Sequence, residues 1–183
     1  MEWIDLKTVY TIVHILGVAL GAGGAYVSDV LFLSSIKDEV ISKVELRFLK
    51  IGSAFVWAGL ILLVLSGIAL FSTNPDGYLD SSKFLIKMFI VLVIFINGLI
   101  FHFTHLPRIG RHADHHLPSS DEFNRKEKIL IASGVVSVTS WTFALILGAL
   151  RAIPLDFTTA LVAYIVFELV VVSIALVVSK RLI

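Results

Sequence analysis

The chain has 183 residues, of which 57% are hydrophobic and 16% charged, and its formal net charge is +1. That is far more apolar than a soluble domain of this size requires, and it offers nothing that suits nucleic acid as a partner. The absence of cysteine excludes disulfides, thiolate metal sites, iron–sulfur clusters and haem attached through thioether links. The class expected is an all-α integral membrane protein of the cell (inner) membrane, with the lipid bilayer as its first partner.

Spanning a bilayer takes roughly 20 apolar residues, and five runs meet that length: 8–34, 48–72, 84–106, 129–151 and 155–179. They predict a five-helix bundle forming a single membrane domain over residues 1–183. Asn74, Pro75, Asp76 and Gly77 mark a turn between the second and third runs. Residues 1–7 carry Glu2 and Asp5 against one lysine, and apolar residues continue past the small-residue cluster 21–25, so the first helix is expected to be retained rather than cleaved as a signal peptide. Basic residues set the orientation. Lys37, Lys43, Arg47, Lys50, Arg108, Arg111, Arg125, Lys126, Lys128, Lys180 and Arg181 fall on one side, against Lys7, Lys83, Lys87 and Arg151 on the other. This predicts a cytoplasmic C-terminus and an N-terminus outside.

The first run carries a histidine above a ladder of small residues. On a helix His14, Gly17, Gly21, Gly24 and Ser28 share one narrow stripe, and an ionisable residue within a span normally faces the bundle interior. Two readings fit. Small residues let a neighbouring helix approach closely, with His14 hydrogen-bonded across the contact. Alternatively, His14 ligates the iron of a flat cofactor, haem b, for which the glycines make room.

Further along, Gly52, Gly59 and Ser66 on the second run, and Ser133, Ser137, Ser140, Ala144 and Gly148 on the fourth, read as packing faces. On the third run Lys83 and Lys87 lie near the outer end. Lys83 is expected to snorkel to the headgroups, whereas Lys87, at the depth of His14, is a candidate second axial ligand or propionate partner. His102 is an alternative ligand from the inner side. Glu168, near the middle of the last run, shares its depth with Asn97 and Ser140. An ionised carboxylate there would be costly, so Glu168 is expected to be protonated within a polar midplane cluster, as a structural clasp or a proton relay. Five histidines, His102, His105, His112, His115 and His116, crowd into residues 102–116 beside Asp114, which reads either as a solvated loop or as a site for zinc, copper or nickel.

A short chain that opens with a histidine-bearing helix and has Gly24 and Tyr26 after it resembles the HemJ-type protoporphyrinogen oxidases and the related CopD copper-resistance membrane proteins. Glu45, Leu46 and Arg47 in the connector, Leu65, Ser66 and Gly67 closing the second run, and Lys87 opening the third extend the resemblance over about the first 110 residues. Gly21 departs from that pattern, as do Ser28 and Asp29, and Phe101 with His102 comes late. The resemblance implies haem linked to His14 and Lys87. The function expected is a b-type haem membrane protein in electron transfer or porphyrin redox chemistry, an oxidoreductase with a quinone, a porphyrin, a redox protein or a second copy of the chain as candidate partners. The alternatives are a small proton-coupled or metal-ion transporter built around Asn97 and Glu168, and a metal-handling protein working through residues 102–116.

Overall fold

The computed structural model describes residues 5–37, 40–114 and 121–182. It contains helices α1 (Leu6–Lys37), α2 (Lys43–Phe71), α3 (Pro75–Leu79), α4 (Ser82–Ile100), a π-helical turn (Phe101–His105), α5 (Leu106–Arg111), α6 (Asp121–Ala149) and α7 (Phe157–Leu182). Five continuous helical segments are long and apolar enough to cross a membrane: Leu6–Ser35, Lys43–Phe71, Ser82–Arg111, Lys128–Ala149 and Phe157–Ser179. Large apolar side chains such as Val30, Leu33, Ile68, Phe103 and Leu169 are exposed around the bundle. In water that surface would be a severe liability, and against acyl chains it is the expected exterior of a multi-pass membrane protein.

Local chemistry explains where the helices depart from the apolar runs. α2 starts five residues before its run because Ser42 forms a capping box: its hydroxyl accepts from the Glu45 amide at 3.2 Å, while its own amide donates to Glu45 Oε2 at 2.8 Å. The same carboxylate accepts from Ser35 at 2.8 Å, fastening the end of α1 to the start of α2. The predicted turn at 74–77 winds into the short helix α3, capped by Asn74, which accepts from the Gly77 amide at 3.4 Å. The third span continues through residue 111. Pro107 has no N–H and crowds the carbonyl of Phe103, and the π-helical turn just before it absorbs the misfit without ending the helix.

α1 and α2 share the most extensive contact in the molecule. A Cβ placed on Gly17 would lie 2.9 Å from the Leu63 amide nitrogen and 3.0 Å from the Gly59 carbonyl. One on Gly24 would lie 3.0 Å from the Gly52 carbonyl, and one on Gly59 would run into the backbone of Gly21. The two helices therefore meet backbone to backbone. α6 packs against α1, α4 and α7, and α7 also touches α4. Leu60, Leu63, Ile86, Ile90, Trp141 and Tyr164 form the main core. A second cluster, around Leu49, Leu106 and Ile109, closes the end of the bundle that carries most of the basic residues. At that basic end Asp114, at φ 65°, donates its amide to the Ile41 carbonyl at 2.8 Å, accepts from the Lys43 amide at 3.0 Å and pairs with the Lys43 ammonium at 2.8 Å.

Candidate functional site

The glycine ladder is a helix–helix contact. Gly17 and Gly24 lie against α2, and a side chain at Gly21 would collide with the indole of Trp141. The face below His14 is thus filled by α2 backbone and by an α6 side chain, and these glycines do not fit a macrocycle. His14 itself turns to α2, with Nδ1 3.0 Å from Ser66 Oγ, and a Cβ on Gly67 would lie 3.8 Å from its ring. Lys87 comes within electrostatic reach of His14, as their equal depth predicts. Lys83 bonds the carbonyls of Leu150 and Arg151 at the end of α6, which gives its ammonium a backbone partner where a headgroup was expected.

The polar midplane cluster divides in two. Asn97 pairs reciprocally with Ser133, donating to its carbonyl at 3.0 Å and accepting from its hydroxyl at 2.8 Å. Glu168 and Ser140 do come together, in a separate group on the α6–α7 contact. Thr139 Oγ1 lies 2.7 and 2.8 Å from the two Glu168 oxygens, Ser140 Oγ lies 3.5 Å from Oε1, and Ser140 bonds the Tyr164 hydroxyl at 2.8 Å. His102 Nδ1 lies 3.2 Å from Ser53 Oγ, with its ring edge-on to Trp57. His115 and His116 fall outside the described residues, and among the described residues no group of three histidines, aspartates and glutamates gathers as metal ligands would.

A site that sequence reasoning passes over lies toward the basic end. A cavity of about 50 Å³ opens between α1, α2, the third span and α6. α1 contributes Ser28 and Asp29, the third span Asn97 and His105, α2 Ser53, and α6 Ser133 and Ser137, with Trp57 and Trp141 as apolar walls. Asp29 shares the cavity wall with Ser137, whose hydroxyl is near enough to favour its carboxylate. Among the described residues its Oδ2 has no hydrogen-bond partner, and the same is true of Ser28 Oγ and His105 Nε2. Ser28 is 7% and His105 2% exposed, so two of the three unpaired atoms sit in fully enclosed side chains. Arg108 reaches His105 Nδ1 at 3.4 Å. An arginine can only donate, so Nδ1 accepts and the imidazole proton is assigned to Nε2, on the unpaired nitrogen.

Asp29 was legible as an unusual residue: it is a carboxyl inside an apolar run, and such a group merits the same attention as His14. His105 gave no comparable signal, because its position next to the basic loop looks like a span end. No known protein family matches the chain, and neither a characterised protein nor a solved structure is similar to it.

Proposed function

We propose that the chain is a small multi-pass membrane protein that carries protons through the cavity between Asp29 and His105. The observation that carries this reading is the convergence of three unpaired buried polar atoms, one each from a carboxyl, an imidazole and a hydroxyl, on a single cavity. An unsatisfied buried polar group costs on the order of 1–3 kcal/mol, so three in one place imply an occupant that satisfies them. The imidazole N–H donates, the carboxylate oxygen accepts and the hydroxyl does either, which is the set a water or a hydrated proton requires. Drug-sized ligands need roughly 300–1,000 Å³, far more than this cavity offers, while its volume suits a few waters. Among the described residues one carboxyl and one imidazole line it, too few strong donors for a transition metal.

The basic end faces the cytoplasm on the charge rule, which puts the N-terminus outside and the cavity in the cytoplasmic half of the inner membrane. The test is proton uptake by vesicles containing the purified protein and an internal pH dye, driven by an imposed membrane potential. Wild-type protein should exceed protein-free vesicles, and Asp29→Asn should lower the flux about a hundredfold, the scale of losing a positioned acid–base group. Wild-type flux at the protein-free level would overturn the proposal.

A second reading, the haem protein implied by the resemblance, draws its support from the electrostatic influence of Lys87 on His14. Its macrocycle would have to sit away from the closed glycine face. A visible spectrum separates the two readings.

A further inference from the structure

We infer that Glu168 is a second proton-holding site, joined to Asp29 along the hydroxyl stripe of α6, an inference that rests on the proton-carrying reading above. Ser133, Ser137 and Ser140 recur at i, i+4 and i+7 and so share one face of α6. Each turns to a polar side chain of a different neighbour: Ser133 to Asn97 on α4, Ser137 to Asp29 on α1, and Ser140 to Tyr164 and Glu168 on α7. One helix therefore meets Asp29 and Glu168 by consecutive turns of the same stripe.

The partners of Glu168 are what a site that gains and loses a proton requires. Thr139 and Ser140 meet it with hydroxyls, and Tyr164 adds a third hydroxyl bonded to Ser140. A hydroxyl that donates to a carboxylate can rotate to accept from a carboxylic acid. Thr139 shows this ambivalence directly, since the Val135 carbonyl stands 2.7 Å from the oxygen that also contacts Glu168. With its single hydrogen on that carbonyl, Thr139 accepts from a protonated Glu168. Turned to the carboxylate, it donates. A glutamate kept for packing alone, 9% exposed and within the apolar layer, would be better replaced by an apolar side chain of its size.

Ser137, which lines the Asp29 cavity, and Ser140 are three residues apart, which puts their Cβ atoms about 5–6 Å from each other, and the proposal requires a water drawn from the cavity to bridge them. Transfer is then an exchange. A proton leaves Glu168 toward Ser140, each hydroxyl and the bridging water passes one proton on as it receives another, and Asp29 Oδ1 gains one from Ser137. The net change is one proton moved from Glu168 to Asp29.

The experiment is the vesicle flux assay with Glu168→Gln, Glu168→Asp and Ser140→Ala beside Asp29→Asn. Glu168→Gln should reduce flux about a hundredfold and Ser140→Ala about tenfold, while Glu168→Asp, which keeps the carboxyl, should stay within about threefold of wild type. If Glu168→Gln does not yield monodisperse protein, Ser140→Ala and the isosteric Thr139→Val decide. Wild-type flux in the Glu168→Gln or Ser140→Ala variants alongside its loss in Asp29→Asn would overturn the relay and leave the cavity proposal standing. Absence of wild-type flux would overturn both.

Discussion

The indole of Trp141 occupies the space that a side chain at Gly21 would need. Trp141 is 1% exposed, lies on the face of α6 turned to α1, and forms a wall of the cavity beside Asp29. Its ring thus serves three parts at once: the spacing of α1 and α6, the main core and the apolar side of the polar site.

Removing that ring should be expensive. Trp141→Ala is expected to cost roughly 3–5 kcal/mol, and Gly21→Leu roughly 1–3 kcal/mol from overpacking against the indole. The double variant should be less destabilised than the sum of the two, because each change relieves the other. Unfolding in mixed detergent micelles measures the cycle, and strict additivity would show that the two residues do not share this space.

The purified protein is expected to show no Soret band, as isolated or after dithionite, since the glycine face is closed by α2 and Trp141. A Soret band in wild-type protein that is lost in His14→Ala would put the haem reading ahead.

Asn97 and Ser133 should be coupled by about 0.6 kcal/mol, with about 1.7 as the upper range for hydrogen bonds between membrane helices. Their two-way pair spans α4 and α6, so the cycle is built from Asn97→Ala and Ser133→Ala. Only the Ser133 hydroxyl is lost in the latter, so its carbonyl keeps accepting and the measured coupling reports the hydroxyl–amide bond alone.

Asp156, outside the spans, accepts from the Thr159 hydroxyl at 2.5 Å and the Thr159 amide at 3.1 Å, and these bonds hold its carboxyl below the usual carboxylate range. A depressed carboxyl contributes its stability above the unfolded value and loses it as pH falls through the folded one. The start of α7 should therefore be unaffected between pH 5 and pH 8 and should loosen only below about pH 4. Amide hydrogen exchange at residues 157–160 reads this out, and Asp156→Asn should remove the acid dependence. Loosening that begins near neutral pH would contradict the assignment.

The spans were legible because lipid imposes length and apolarity residue by residue, and no tertiary contact is needed to read them. The capping box at Ser42 and the cap at Asn74 were local signals too, strong enough to move boundaries but hidden by hydropathy. The glycine ladder was legible as a bare face and not as to its occupant, because a close-packed helix and a flat cofactor ask for the same small residues. The stripe of α6 was read as a contact face, which holds for Ser133, Ser140 and Ala144 and fails at Gly148, where an added Cβ would meet open space. Ser140 was read beside Glu168, and what could not be read was that Asn97 would go to Ser133 instead and that Ser137 would face Asp29, since those pairings depend on how the helices are turned. His105 belongs to the same class: its place in the cavity follows from the widened turn before Pro107, which shifts the phase of the helix end relative to a regular α-helix.

The glycine contact between α1 and α2 also bears on how the molecule is made. The two helices are consecutive, joined by a short connector already pinned by Ser35, Ser42 and Glu45, and their interface needs no atom from any later segment. Once the ribosome has released residue 71, this hairpin can close within the bilayer, while α6 and α7 are still unsynthesised. Everything downstream then docks onto a finished plate, with Trp141 keyed to Gly21 and Ser137 to Asp29. A bulky residue at Gly59 would accordingly stop biogenesis at its first step and deliver the chain to quality-control proteases, whereas a change at Thr139 would leave the early hairpin intact and alter only the later pairing of α6 with α7.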